Sequence, residues 1–259
     1  MSRQTLRQTF GEDAELYDRV RPAYPRELFD DLARAVGPHP RVLEIGPGTG
    51  QATAAMVARG WNITAVELSP ALADVLRRKY PAIEVIVADF DTWELPTGEY
   101  DLVLSATAFH WLDPATRVAR CAGLLRPGGA LAVVSTHHVA GGSEQFFTDV
   151  QTCYAEFTDD PAAEPLTAAD DVPEDPAGLA DSGLFESVES RGYVWDATYT
   201  TAGYLELLSS YSGHRALTTE RRDGLYDCIG ALIDAAGGSV TKRYLNQLIV
   251  GICPHQPLA

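Results

Sequence analysis

The segment Val42–Gly50 carries the residues best suited to binding a ligand, because three glycines follow an acid at the end of an apolar run. Glycine adopts backbone conformations that other residues avoid, and it lets a ligand approach the main chain closely. In open α/β sheets, ligands bind at the carboxyl ends of the strands. We therefore predict that Gly46, Gly48 and Gly50 line a ligand site together with Glu44.

The spacing of these glycines disfavours a dinucleotide. That fingerprint is Gly-x-Gly-x-x-Gly/Ala, and its last position is Gln51 when counted from Gly46 and Thr53 when counted from Gly48. The carboxylate of Glu44 would also repel a pyrophosphate. The segment favours a ligand that carries positive charge, and an NAD-dependent oxidoreductase becomes the weaker alternative.

Two further acids follow predicted strands. Glu67 ends the second strand, where a carboxylate can accept hydrogen bonds from both ribose hydroxyls. Asp89 ends the third strand and could accept from an adenine amino group, while Phe90 packs on the base. The alternative for Glu67 is a helix-capping or surface role.

Histidines follow the fourth and fifth strands. His110 could act as a general base or orient a substrate oxygen, or it could simply pack against Trp111, which would shape the pocket. His137, beside His138, is a candidate for lining a substrate site. We expect no metal site, because these histidines lack helical ligand spacing.

A second polar cluster, Tyr211–Arg215, lies in the acid-rich second half of the chain. Arg215 is predicted to bind an anionic substrate, with His214 beside it as a further catalytic candidate. The alternative is an exposed cluster at a helix terminus.

Short apolar runs alternate with amphipathic stretches from Arg41 onward, and this alternation predicts an α/β fold with a parallel sheet and helices on both faces. The predicted strands are Arg41–Ile45, Asn62–Glu67, Ile83–Ala88, Asp101–Ser105, Ala130–Ser135, Ser187–Thr200 and Val240–Cys253. The predicted helices are Gln51–Arg59, Pro70–Tyr80, Pro114–Leu125, Glu144–Phe157, Ala202–Ser210 and Thr218–Ala236, and residues 12–36 are helical in two pieces.

We expect a single domain over residues 1–259. Its predicted parts are N-terminal cap helices (1–36), a ligand-binding core (37–136), an acidic insertion that forms a cap (137–189), and the last two strands with their helices (190–259).

The net charge of −16 argues against nucleic acid and anionic membranes as partners, since both are bound mainly by Lys and Arg. The N-terminal residues contain no apolar stretch of the signal-peptide kind. Four scattered cysteines, Cys121, Cys153, Cys228 and Cys253, favour reduced thiols over disulfides. We expect a cytoplasmic protein, either a monomer or a homodimer.

Taken together, Val42–Gly50, Glu67, 88–90, 100–113 and 124–129 resemble the class I S-adenosylmethionine (SAM)-dependent methyltransferases. Within that family they are similar to the small-molecule branch that includes trans-aconitate and ubiquinone/menaquinone-type enzymes. The resemblance covers residues 10–136 and weakens beyond them. It implies a Rossmann-like sheet of seven strands, the last one antiparallel.

The resemblance also assigns roles to residues. The family pattern places Glu44, Gly46 and Gly48 at the methionine part of SAM and Glu67 at the ribose, with Gly50 and Leu68 as further cofactor-binding residues. It places Asp89 and Phe90 at the adenine, and Ala106 or Thr107 near the sulfonium. The N-terminal segment 17–25 resembles a cover over the cofactor, with Tyr17 and Arg21 at SAM, Tyr17 also a catalytic candidate, and Tyr24 at the substrate. Arg21 could pair with the cofactor carboxylate or with an anionic substrate. The alternative for the three residues is a surface arginine with two packing tyrosines.

The implied activity is methyl transfer from SAM to a small molecule, at a carboxylate or hydroxyl oxygen. The alternative is a SAM-binding protein of the same fold that transfers no methyl group, such as a natural-product cyclase or a regulatory module.

Overall fold

A computed structural model of the protein describes residues 13–96, 100–159 and 165–255. The helices are α1 (Ala14–Val20), α2 (Arg26–Val36), α3 (Thr53–Val57), α4 (Pro70–Lys79), α5 (Arg117–Ala122), α6 (Glu144–Asp149), α7 (Gln151–Phe157), α8 (Thr201–Ser209), α9 (Ser212–Arg215) and α10 (Thr219–Ala235). The strands are β1 (Arg41–Ile45), β2 (Asn62–Glu67), β3 (Glu84–Val87), β4 (Tyr100–Ala106), β5 (Leu125–Gly142), β6 (Ser187–Thr200) and β7 (Ser239–Ile252).

The seven strands form one sheet in the order β3-β2-β1-β4-β5-β7-β6. Five neighbouring strands, β3, β2, β1, β4 and β5, pair in parallel. Val42 of β1 lies opposite Ile63 of β2 on one side and Leu102 of β4 on the other. The last strand is antiparallel. The predicted Rossmann-like sheet is therefore confirmed.

Alternate residues of the central strands feed two apolar cores. Leu43 and Val103 belong to one core, whereas Val42 and Leu102 belong to the other. Successive side chains of a strand point to opposite faces of the sheet, so a strand covered on both faces reads as a continuous apolar run. These runs make the central strands recognisable in the sequence.

Several elements differ from their predicted bounds. β5 continues to Gly142 and does not end at Ser135. Glu144–Phe157 forms two helices that meet at Val150. α5 begins only at Arg117, because the Asp113 carboxylate accepts from the Ala115 amide at 3.1 Å and holds residues 113–116 in a turn.

The chain divides into two compact units. Unit 1 comprises residues 1–21, 137–172 and 194–245, and unit 2 comprises residues 22–136, 173–193 and 246–259. The single domain over 1–259 stays a prediction. The predicted cap 1–36 begins in residues 1–12, which lie outside the described residues, as do residues 160–164 of the acidic insertion. No helix in the described part of the chain is long and apolar enough to cross a membrane.

Unit 1 has its own apolar core, which α6, α7, α8 and α10 supply. Cys153 of α7 and Cys228 of α10 are joined by a disulfide, with their Cα atoms 5.8 Å apart. The expectation that all four cysteines are reduced is therefore wrong for this pair, while Cys121 and Cys253 are buried free thiols. The two bonded cysteines are 75 positions apart, so their spacing in sequence gave no indication of the bond.

We expect the disulfide to stabilise unit 1. Closing a loop of this length restricts the unfolded chain and contributes about 4 kcal/mol in the chain-entropy model. In guanidinium, thiol titration of the unreduced protein should find two thiols, and titration after reduction should find four. The Cys228→Ser variant should unfold at lower urea, whereas Cys253→Ser controls for the loss of a buried thiol. Four thiols in the unreduced protein would contradict the bond.

Candidate functional site

The turn that follows β1 has left-handed backbone at each glycine, with φ values of 66° at Gly46, 60° at Gly48 and 96° at Gly50. Residues with a Cβ are strained in this region. A Cβ on Gly46 would also lie 2.6 Å from the Cβ of Ala108. The turn therefore needs glycine both for its conformation and for its close packing.

Glu44 lies at the carboxyl end of β1 and is 1% exposed. The Thr53 hydroxyl donates a hydrogen bond to its Oε2 at 2.6 Å. Burial raises the pKa of Glu44 to about 7, and this effect exceeds the opposing one of the Thr53 hydrogen bond. A carboxylate held in an apolar setting with one donor is suited to a cationic ligand group.

This buried acid should make stability depend on pH. Its pKa is higher in the folded state than the ordinary 4.5, so the folded state favours the protonated carboxyl. The resulting stabilisation is complete below about pH 4.5 and is lost as the pH rises through about 7, by at most about 3 kcal/mol. Urea unfolding at pH 5 and pH 8 should show this loss in the ligand-free protein and not in Glu44→Gln. Parallel pH profiles for the two proteins would contradict the assignment.

Glu67 connects the end of β2 to the glycine turn. Its Oε2 accepts the Gly48 amide at 3.0 Å, and its Oε1 accepts the Ser69 amide at 2.9 Å. Ser69 in turn caps α4, its hydroxyl accepting from Leu72. Each carboxylate oxygen has a second lone pair, which leaves Glu67 able to accept from a ligand while it holds the turn in place.

The end of β3 places Asp89 in a tight turn, where its Oδ1 accepts the Asp91 amide at 3.1 Å. The Phe90 side chain is 3% exposed and packs in the core. Arg120 fixes this turn by donating to the carbonyls of Phe90 and Trp93 at 2.8 and 2.7 Å. These hydrogen bonds hold the turn, with the Phe90 ring inside the protein.

A chain of polar side chains runs from Thr107, directly after β4, through Thr136 within β5 to Asn246 in β7. The Thr107 hydroxyl lies 2.8 Å from the Tyr24 hydroxyl and 3.2 Å from that of Thr136, which accepts from the Asn246 amide at 2.8 Å. Thr107 has a φ of 55°, a strained value for a β-branched residue. Such strain concentrates at functional sites. Thr107 directly follows Ala106, the last residue of β4.

Sequence reasoning missed Thr136 and Asn246. Asn246 is 1% exposed and, with the buried Gln247 beside it, interrupts the apolar residues of β7. A polar residue inside an apolar strand needs a buried partner, and that pattern could have indicated it.

His110 and Trp111 lie in a 3₁₀ turn after β4, with ring centroids 4.9 Å apart. His110 is exposed. His110 therefore packs against Trp111, which is one of the two alternatives given in the sequence analysis. Its imidazole is also accessible to solvent, as a general base would need to be.

The remaining predicted site residues, Tyr17, Arg21, His137, His214 and Arg215, all belong to unit 1. Arg21 lies over the Tyr17 ring, 4.9 Å from its centroid, and donates to the Ser210 carbonyl at 2.9 Å. His214 lies 3.2 Å from the Tyr154 hydroxyl. Arg215 donates to the Ser209 carbonyl at 2.9 Å, which gives its guanidinium a structural contact. The predicted roles of these residues stay predictions.

No group of three or more His, Cys, Asp or Glu side chains in the described ranges is placed to hold a metal ion. The candidate site of unit 2 thus consists of the glycine turn, Glu44, Glu67 and Asp89 at three neighbouring strand ends, and the Thr107 network.

Comparison with known proteins shows what this arrangement is similar to. Residues 43–133 match the family described as a methyltransferase domain. An uncharacterised methyltransferase of Mycobacterium tuberculosis is 39% identical over 133 residues, which are 51% of this chain and 54% of that protein. A trans-aconitate 2-methyltransferase of Methylobacterium radiotolerans is 34% identical over 129 residues, 48% of this chain and 49% of that protein. The chain spans about half the length of the curated relatives it matches.

A solved structure, a candidate type II methyltransferase of Anaeromyxobacter dehalogenans, superposes with a TM-score of 0.65 at 23% identity. The match covers 91% of this chain and 99% of that one, and it supports the fold. The resemblance predicted from the strand ends is confirmed by the family match.

Proposed function

We propose, because residues 43–133 match the methyltransferase-domain family, that this protein transfers a methyl group from SAM to a small-molecule acceptor. The observation that carries the proposal is the buried Glu44 beside a glycine turn that Glu67 holds in place. SAM carries an ammonium and a sulfonium, and a buried carboxylate compensates positive charge.

The residues at the strand ends fit such a cofactor. The amides of the glycine turn and Glu44 would hold the methionine part, Glu67 with Leu68 the ribose, and Asp89 the adenine amino group. The close packing of Gly46 against Ala108 keeps the turn near the end of β4. We further propose that Phe90 supports the adenine side from within the core, and that Ala106 and Thr107 lie next to the sulfonium.

SAM itself supplies the reactive methyl and a neutral thioether leaving group. The chain's own residues then have to orient the acceptor and exclude water, and orientation alone can contribute about 7–11 kcal/mol. The strained Thr107, fixed by Tyr24 and Thr136, is suited to positioning. A general base is needed only when the acceptor must lose a proton, and His110 is the candidate in unit 2 for that step.

We propose an oxygen acceptor, a carboxylate in preference to a hydroxyl. One relative is a trans-aconitate 2-methyltransferase, and a carboxylate attacks a methyl group without losing a proton first. This preference agrees with a site that has no buried histidine beside the glycine turn among the described residues.

The test is calorimetry with SAM and NADH, followed by incubation of SAM with a panel of small carboxylic acids and phenols. We expect SAM to bind, NADH not to bind, and S-adenosylhomocysteine to accumulate with a carboxylic acid. Tighter binding of NADH than of SAM would overturn the proposal. SAM binding without turnover on any acceptor would favour the non-transferring alternative.

Location and assembly stay predictions: a cytoplasmic protein, monomer or homodimer, that binds no nucleic acid. The Cys153–Cys228 disulfide argues against the cytoplasmic location, because disulfides persist mainly in oxidising compartments.

A further inference from the structure

Lys242 lies on the buried face of β7, where a lysine is unusual. Side chains alternate along a strand, and Lys242 points to the same side as Val240 and Tyr244, both buried. Val240 packs in the apolar core of unit 1, and Lys242 itself is 8% exposed. An ammonium at a position that the pattern gives to an apolar residue is costly unless an anion compensates its charge.

The neighbouring Arg243 shows how a cation of this strand is compensated by a carboxylate. Arg243 points to the other side of β7 and forms a two-pronged ion pair with Asp196, at 2.7 and 2.8 Å. Among the described residues, Lys242 has no carboxylate within ion-pairing distance. Its ammonium instead faces two rings, 5.1 Å from the Tyr244 centroid and 5.6 Å from that of Tyr211.

Arg21 adds a second cation at the same ring. Its guanidinium lies 4.4 Å from the Tyr211 centroid, and its Nε is buried without a hydrogen-bond partner. Arg21 has no carboxylate partner in the part of the chain that the structure describes. Two cations thus flank Tyr211 without an ion pair in a chain whose net charge is −16.

Three histidines of unit 1 also hold a buried nitrogen that has no hydrogen-bond partner among the described residues. These are the Nε2 of His137, the Nε2 of His138 and the Nδ1 of His214. Burial, with the nearby Lys242 charge, lowers the pKa of His138 to about 3 and that of His214 to about 4. Both rings are neutral at pH 7, and a neutral imidazole can donate one N–H to an anion.

Aromatic rings supply the apolar surroundings. Trp195 stacks on Tyr244 with centroids 4.7 Å apart, and the Tyr199 and Tyr244 hydroxyls lie 3.1 Å from each other. Rings of this kind favour a flat or unsaturated ligand body, while the cations favour a negatively charged end.

We propose that unit 1 binds an aromatic carboxylate, whose charge Lys242 and Arg21 neutralise beside Tyr211 and Tyr244. The assignment moves anion recognition from Arg215, where the sequence analysis placed it, to Lys242, because the Lys242 ammonium is buried beside the Tyr211 and Tyr244 rings.

The first experiment uses the fact that Lys79 and Lys242 are the only lysines of the chain. The full-length protein labelled with ¹⁵N-lysine has two side-chain signals, and Lys79→Arg assigns them. Titration with benzoate or cinnamate should shift the Lys242 signal to saturation, whereas benzamide should leave it in place. If neither carboxylate shifts the Lys242 signal more than the Lys79 signal, the proposal is overturned.

The second experiment measures benzoate binding by calorimetry. Lys242→Gln should weaken binding by about 10–100-fold, as expected for loss of a charged hydrogen-bond donor, and Lys242→Arg should restore most of it. Arg243→Gln, which removes the neighbouring paired cation, should bind as the wild type does. Equal losses in Lys242→Gln and Arg243→Gln would overturn the proposal.

S-adenosylhomocysteine binding separates the two proposals. It reports the proposed function in unit 2 and shows that unit 2 of each variant is folded, while the recovery of benzoate binding in Lys242→Arg shows that unit 1 is folded. Normal S-adenosylhomocysteine binding without benzoate binding would remove the carboxylate site and leave the proposed function standing. Benzoate binding without S-adenosylhomocysteine binding would do the reverse.

Discussion

Replacing Glu67 with alanine is expected to weaken SAM binding by about 100-fold or more. The substitution removes the acceptor of the Gly48 and Ser69 amides, and hydrogen bonds to a charged group contribute about 1.5–3 kcal/mol each. It also removes the proposed acceptor of the ribose hydroxyls. The turn would therefore lose both its anchor and one of its ligand contacts, and calorimetry with SAM would measure the result.

A suitable control is Glu84→Ala, because Glu84 is an exposed strand acid of the same unit that accepts from the Thr64 hydroxyl at 3.2 Å. Its loss should leave SAM affinity within about twofold of the wild type, as expected for an exposed polar contact. Equal SAM affinities for Glu67→Ala and Glu84→Ala would remove Glu67 from the cofactor site.

Gly46→Ala is expected to destabilise the protein by about 2–5 kcal/mol and to abolish detectable SAM binding. The left-handed backbone contributes about 1–2 kcal/mol of this for a residue with a Cβ. Overpacking against Ala108, whose Cβ would lie 2.6 Å away, contributes about 1–3 kcal/mol. Urea unfolding measures the stability, and calorimetry on the folded fraction measures the binding.

Gly60→Ala separates strain from crowding. Gly60 has a φ of 71° and no atom within 4 Å of an added Cβ, so its variant should show the conformational effect alone. Identical unfolding midpoints for the two variants would mean that the Ala108 contact has no effect on the turn.

The glycine turn and its acids could be predicted because local sequence determines them. Buried parallel strands read as apolar runs, and the residues directly after such runs lie at the ligand edge. This reasoning predicts Glu44, Glu67 and Asp89 as site residues. It does not predict that the Glu67 carboxylate also accepts a hydrogen bond from the Gly48 amide. That contact depends on how β1 and β2 pair, which the spacing of residues does not encode.

Long-range contacts account for what the sequence did not reveal. The Thr107 network joins side chains from Tyr24 to Asn246, and the disulfide joins α7 to α10. The sequence places Lys242 in an ordinary strand. That no carboxylate among the described residues lies within ion-pairing distance of its ammonium becomes visible only when its neighbours in space are known. Composition even pointed away from the disulfide, because four scattered cysteines look like independent thiols.

The discontinuity of the two units has a consequence for recombination. Unit 1 draws most of its residues from two internal segments, 137–172 and 194–245. Exchanging these segments with those of a relative would replace Lys242 and its tyrosines while leaving every residue from 22 to 136 unchanged. The junctions at 136/137, 193/194 and 245/246 fall inside β5, β6 and β7. A functional chimera must therefore preserve strand register at each junction, because a slip of one residue turns every following side chain to the opposite face of the sheet.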